Sequence, residues 1–168
     1  DPKLPIKRAD ELSKIEFEQL ILTTLEPSVQ EALRPYINSI LDLSVEYQID
    51  PFWVISIVMV ESDFNSQALS HKNARGLMQL MPDTAQYLYL LMQRKLSGDQ
   101  VLANLDLPQE NLEMGVFYLK KLLQNFRMNY RFATVAYNIG PAKLRSHLKA
   151  KSIDLNNSPY LQKISDRY

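Results

Sequence analysis

The chain has 168 residues, 46% hydrophobic and 23% charged, enough length and apolar content to bury a core as one domain. Its 19 basic and 19 acidic residues cancel, which argues against a dedicated nucleic-acid binder with its basic excess. With no cysteine, disulfides, thiolate chemistry and cysteine metal sites are excluded.

Glycine is scarce, at four residues, and helix formers dominate, so the pattern predicts an all-helical fold without strands. The first stretch, "DPKLPIKRAD", has no signal-peptide core and no initiator Met. It reads as a mature or trimmed end whose targeting segment is out of view. No apolar segment reaches the roughly 18–20 residues that span a bilayer. Asp10 is predicted to begin a helix with Leu12, Ile15, Leu20 and Ile21 as its apolar positions, interrupted by Pro27. Pro35 starts or kinks the next helix, whose core side is Ile37, Ile40, Leu41, Leu43 and Val45. Asp50-Pro51 is a capping residue followed by a first-turn proline, and that helix should run to about Ser62. Residues 63–75 read as a loop, Gly76–Leu80 as helical, and the segment after Pro82 as a helix to about Lys95. "LSGDQVLANLD" reads as a surface connection. Pro108 opens a long helix to about Asn129, with Leu112, Val116, Leu119 and Leu123 on one side. "RFATVAYNIG" is a short buried helix stopped by Gly140. Pro141 starts another to about Lys149, and "NNSPYLQKISDRY" holds a final helix.

The helix after Asp50, "PFWVISIVMVES", is apolar on every face apart from Ser56, and it ends on Glu61. A helix of that kind is buried on most sides. Partial burial and the negative end of the helix dipole both favour the neutral carboxyl. The nearest following basic residue in sequence is Lys72, so no adjacent cation opposes them. A carboxyl kept protonated is a proton donor. A solvated helix end is the plain alternative.

Two further clusters accompany it: "SHKNARGLMQLMP" at 70–82 and "AYNIGP" at 136–141. Gly76 permits close backbone approach, and Gln79 offers both a donor and an acceptor. Met78 and Met81 suit adaptable apolar walls or simple core. Tyr137 and Asn138 set a phenol beside an amide, or serve as a core ring and a helix-end residue.

"ES-x-FN" at 61–65, "S-x4-RGLMQLMP" at 70–82 and "AYNIGP" at 136–141 together resemble the three signature blocks of the soluble lytic transglycosylase family. "LDLPQENLEMGVFYLKKLL" is similar to that family's helix between the second and third blocks, and "PYLQKI" to its closing segment. The resemblance covers roughly residues 45–165. It implies an all-α, lysozyme-like domain of the goose-type lysozyme and SLT kind over residues 45–168, with 1–44 an N-terminal helical segment packed on it. It also implies non-hydrolytic cleavage of the β-1,4 bond between N-acetylmuramic acid and N-acetylglucosamine, leaving 1,6-anhydro ends. Carried across by motif, Glu61 is the catalytic acid and base, while Ser70, Gln79, Met81, Tyr137 and Asn138 bind substrate or support the site. Peptidoglycan glycan strands are the implied partner, with no nucleic acid and no cofactor. Residues 1–44 are left open to envelope protein partners. The implied location is the bacterial periplasm or cell envelope, free or attached to the outer membrane.

The residues agree with single-acid chemistry. Most glycosidases use two carboxylates about 5–9 Å apart. Asp63 does not share a helical face with Glu61, and Asp83 reads as a first-turn acid. His71 and His147 lack metal-ligand spacing, so no metal is expected. Trp53 reads as core rather than as a sugar platform, and "NFRMNYR" at 125–131 suits either a groove flank or a solvated helix end. Against the family pattern, His71 stands for a common Pro, Asn73 for a Gly, Ser66 for a Pro and Ala142 for a Gly. Asn73 can still take the left-handed turn. Two other functions stay open: a hydrolytic muramidase like goose-type lysozyme, and a non-catalytic glycan-binding or scaffold protein.

Overall fold

The computed structural model describes residues 13–168; the expected helix start at Asp10 and the apolar Leu12 lie outside them. Among the described residues ten α-helices and one short 3-10 turn follow in order. They are α1 (Lys14–Thr24), α2 (Pro27–Leu33), α3 (Ile37–Tyr47), α4 (Pro51–Ser62), α5 (Pro82–Leu91), α6 (Gly98–Leu105), α7 (Pro108–Asn125), α8 (Tyr130–Ile139), α9 (Pro141–Lys149) and α10 (Pro159–Arg167). The 3-10 turn is Leu155–Asn157. Among the described residues there is no strand, only two isolated backbone bridges joining Leu69, Arg75 and Leu80.

Proline sets most of the helix starts. It occupies the first turn of α2, α4, α5, α7, α9 and α10, where its missing N–H has no helical partner to lose. Pro35 lies in the turn between α2 and α3. Asp50 caps α4 as expected, its Oδ1 accepting from the N–H groups of Phe52 and Trp53 at 2.7 and 3.3 Å.

α4 runs through the core. Trp53, Val54, Ile55, Ile57 and Val58 are all buried. Trp53 is core, its indole N–H donating to Thr134 Oγ1 at 2.9 Å. α3 and α10 pack on α4, and α7 packs on α3 and α8. The four expected apolar positions of α7 are all buried.

Several expectations are corrected. In α1 the inward side is Phe17 and Ile21, while Ile15 and Leu20 are exposed. These two lie off the i, i+4 face that sets Phe17 5.4 Å from the ring of Phe52. In α3, Val45 is exposed and Ile37 half-buried, while Ser44 takes an inward position. "LSGDQVLANLD" is a helix, α6, opened by a Ser97–Gln100 capping box and anchored by buried Val101 and Leu105. α5 stops at Leu91 and α7 at Asn125, the latter because Arg127 and Met128 turn left-handed at φ 53° and 61°.

Gly76–Leu80 is a tight turn, not a helix. Arg75 and Leu80 exchange backbone hydrogen bonds at 3.0 and 3.1 Å, and Gly76 and Gln79 sit at φ 74° and 47°. The buried Asn111 of α7 fixes this turn. Its Oδ1 accepts from Met78 N–H at 2.8 Å, and its Nδ2 donates to Arg75 O and Leu105 O at 2.8 and 2.9 Å. A Cβ on Gly76 would sit 2.2 Å from the Asn111 amide, so glycine is required there. Asn111→Ala should leave Met78 N–H and Leu105 O without their side-chain partner and Arg75 O with only Leu80 N–H, and destabilise the fold by about 2–4 kcal/mol. Urea unfolding measures this; a loss under about 1 kcal/mol would show the staple adds little.

Candidate active site

Glu61 is the penultimate residue of α4, and the helix stops because Asp63 and Phe64 both turn left-handed, at φ 50° and 61°. Ser62 ties this end down: its hydroxyl donates to Val58 O at 3.1 Å and to Leu77 O at 2.8 Å. The acid is therefore held on a rigid helix end against the 75–80 turn.

Glu61 Oε1 accepts a hydrogen bond from the Tyr160 hydroxyl at 2.5 Å. Burial pushes the carboxyl above its ordinary value, and the Tyr160 bond, which favours the ionised form, offsets part of that. No salt bridge reaches Glu61 among the described residues. The phenols of Tyr160 and Tyr137 are pushed well above 10, first by burial and then by the charge of Glu61. Both phenols remain neutral donors at physiological pH.

The acid opens on a cavity of about 570 Å³. Asn138 and Ile139 line it from α8, Tyr160 and Lys163 from α10, and Asp154 and Asn157 from the segment between. Of the residues expected at the site, Glu61 and Asn138 share this cavity. Tyr137 sits beside it with its hydroxyl donating to Met78 O at 2.6 Å. Gln79 commits its amide protons to Ala68 O and Gly76 O, both at 3.0 Å. Ser70 Oγ accepts from Ala74 and Lys72 N–H groups at 2.9 and 3.3 Å, closing its own loop. Ser70, Gln79 and Met81 lie outside this cavity's lining, in the 68–81 segment, with Met81 exposed at the cap of α5. Met78 is fully buried, its sulfur against Gly115, where a Cβ would come within 2.1 Å. Asn73 turns left-handed at φ 66°, as the substitution for glycine requires.

Tyr160 is the residue that motif reasoning missed. The available signal was "PYLQKI": a proline start with Tyr160 and Ile164 four apart, on the face that packs against α4. Asp63 and Asp83 are exposed, as a capping and a first-turn acid should be. Among the described residues no group of three or more His, Asp or Glu side chains is arranged to hold a metal.

An all-helical domain with a sheltered acid at the C-terminal end of a buried helix, opening on a cavity of mixed polar and apolar lining, is a lysozyme-like helical domain. The chain belongs to the transglycosylase SLT domain family, which it matches over residues 38–157. It is 33% identical over 101 residues to the soluble lytic murein transglycosylase of Escherichia coli K12, covering 60% of this chain and 15% of that protein. It is 36% identical over 120 residues to the membrane-bound lytic murein transglycosylase C of Haemophilus influenzae Rd, covering 67% and 33%. The chain thus spans a third or less of these relatives. In fold it resembles an inactive mutant of the lytic transglycosylase Slt from Pseudomonas aeruginosa, with TM-score 0.68, 23% identity and coverage of 94% and 27%. A 70-kDa soluble lytic transglycosylase in complex with bulgecin A superposes equally well, with TM-score 0.68, 23% identity and coverage of 95% and 27%.

Because the folded state raises the pKa of Glu61, its contribution to stability is fully present below the ordinary carboxylate range and lost as pH rises through the folded value. Buried Asp50 is raised by the same cause and acts with the same sign. Glu61→Gln removes the Glu61 part. The variant should be more stable than the native chain at pH 7, with the gap closing as pH falls into the carboxylate range. Urea unfolding across pH reads this; a variant less stable at every pH contradicts it.

Proposed function

We propose that this chain is a peptidoglycan lytic transglycosylase in which Glu61 acts first as acid and then as base. The observation that carries this is the pairing of Glu61 with Tyr160 in a cavity where burial raises the carboxyl's pKa. In the first step Glu61 gives its proton to the glycosidic O4 as the C1–O4 bond breaks, while the substrate's 2-acetamido oxygen stabilises C1. In the second, the C6 hydroxyl attacks C1 and Glu61 takes its proton, restoring the neutral acid and leaving a 1,6-anhydro end. The raised pKa favours the first step. Tyr160 favours the ionised interval between the steps, because it donates to the carboxylate.

Asn138 lines the cavity and supplies an amide for sugar hydroxyls or the acetamido group. Tyr137, Ser70, Gln79 and Met81 shape the wall that a strand would follow. Residues 13–44 act as a helical flank to a catalytic part beginning near residue 45, although α3 itself runs across that boundary. The relatives' names include both soluble and membrane-bound enzymes, which supports an envelope location for this one.

One observation favours a hydrolytic alternative: Asp154 lines the same cavity. Its Oδ1 already accepts from Asn156 N–H at 2.9 Å, and the residue is exposed, so it lacks the shelter given to Glu61. Digestion of purified sacculi followed by mass spectrometry separates the two. The native chain should release anhydro ends, and Glu61→Gln should lose at least about 100-fold in rate. Reducing ends heavier by one water, lost on Asp154→Asn, would make the enzyme a muramidase. Equal release by native and Glu61→Gln chains would remove Glu61 from the mechanism.

A further inference from the structure

With its N-cap Asp50, α4 has an acid at each end, and α10 with its C-cap Tyr168 has a phenol for each. At one end Tyr160 donates to Glu61 at 2.5 Å. At the other, Tyr168 donates to Asp50 Oδ2 at 3.1 Å. Asp50 is only 3% exposed, and its other oxygen is committed to the N-cap bonds. The two helices run antiparallel, so the pairs lie at opposite ends of one contact.

α10 has nine residues, too few to hold its own position without tertiary contacts. Between the two tyrosines its buried side chains are Leu161 and Ile164. Apolar contact of that kind is non-directional and tolerates sliding and rolling. Hydrogen bonds are directional, and two at opposite ends remove both freedoms.

We propose that the Tyr168–Asp50 hydrogen bond is a remote positioning element that sets the register of α10 along α4 and so holds the Tyr160 hydroxyl on Glu61. Tyr168 is a positioning residue: its hydroxyl meets Asp50 at the opposite end of α4 from the cavity and borders a separate groove with Phe52 and Met59. The inference rests on reading Glu61 as the acid and base. The groups facing Glu61 are Tyr160 and Lys163 from α10, Tyr137 from α8, and Asp154 from the segment before the 3-10 turn. Those at the far pair are Asp50, Tyr168 and, close to the Tyr168 phenol, Tyr130 of α8.

The test compares native, Tyr168→Phe, Tyr160→Phe and doubly substituted chains by two readouts: the pH–rate profile of sacculus cleavage and the carbon-13 titration of the Glu61 carboxyl. Tyr160→Phe should move the basic limb and the carboxyl midpoint alkaline by roughly one pH unit, since a donor to the ionised form is lost. Tyr168→Phe should move both the same way by a smaller amount, and the double variant should match Tyr160→Phe alone. Asp50→Ser keeps a capping oxygen but cannot reach Tyr168, and it should reproduce the Tyr168→Phe shift. Unchanged midpoints in Tyr168→Phe and Asp50→Ser, with only a lower melting temperature, would overturn the proposal. So would a Tyr168→Phe shift that adds fully to that of Tyr160→Phe. If the native chain releases no anhydro ends, the cleavage reading fails, and the carboxyl titrations still decide this one.

Discussion

The structure depends on one hydrogen bond made under unfavourable conditions: a phenol donating to a carboxyl at the end of the most apolar helix in the chain. Burial favours the neutral acid, while the Tyr160 bond favours the ion. Burial is the larger effect and the carboxyl stays above its ordinary value, while under the proposed cycle the Tyr160 bond eases the ionised interval. A Lys or Arg in place of Tyr160 would fix the carboxylate as an ion, and an apolar residue would leave the ion without a partner. A neutral phenol whose own pKa is raised lies between these extremes.

Much of the fold serves to hold that pair. α4 is greasy all round because it runs through the core, and this is why its end is rigid enough to carry the acid. The 75–80 turn abuts that end through Ser62, and Asn111 and Tyr137 anchor the turn from α7 and α8. α10 returns from the far end of the sequence to supply the phenol. Residues 61, 62, 77, 78, 111, 137 and 160 are distant in sequence and meet around one helix terminus.

The helices were legible where punctuation was strong. Asp50-Pro51, Pro108, Gly140-Pro141 and Pro159 mark starts and stops that the backbone obeys. Gly76–Leu80 was misread because its residues favour a helix, while the buried amide of Asn111 imposes a left-handed turn from 33 residues away. α6 was misread because its polar surface outweighed a capping box that was there to be seen. At the site, Glu61 was legible from the contrast between an apolar run and a terminal acid. Tyr160 was not, because the helical face it shares with Ile164 does not say which residue 99 positions away it meets. Gln79 and Ser70, carried across by motif as binding or supporting residues, make their bonds to their own loop.

Infrared difference spectroscopy reads the protonation of the Glu61 side chain directly. Subtracting Glu61→Gln from the native chain isolates the protonated-carboxyl band of Glu61, whose loss with rising pH gives its titration. With the carboxyl's pKa raised by burial, this band should persist above the ordinary glutamate value of about 4.3. A band already gone at or below that value would contradict it.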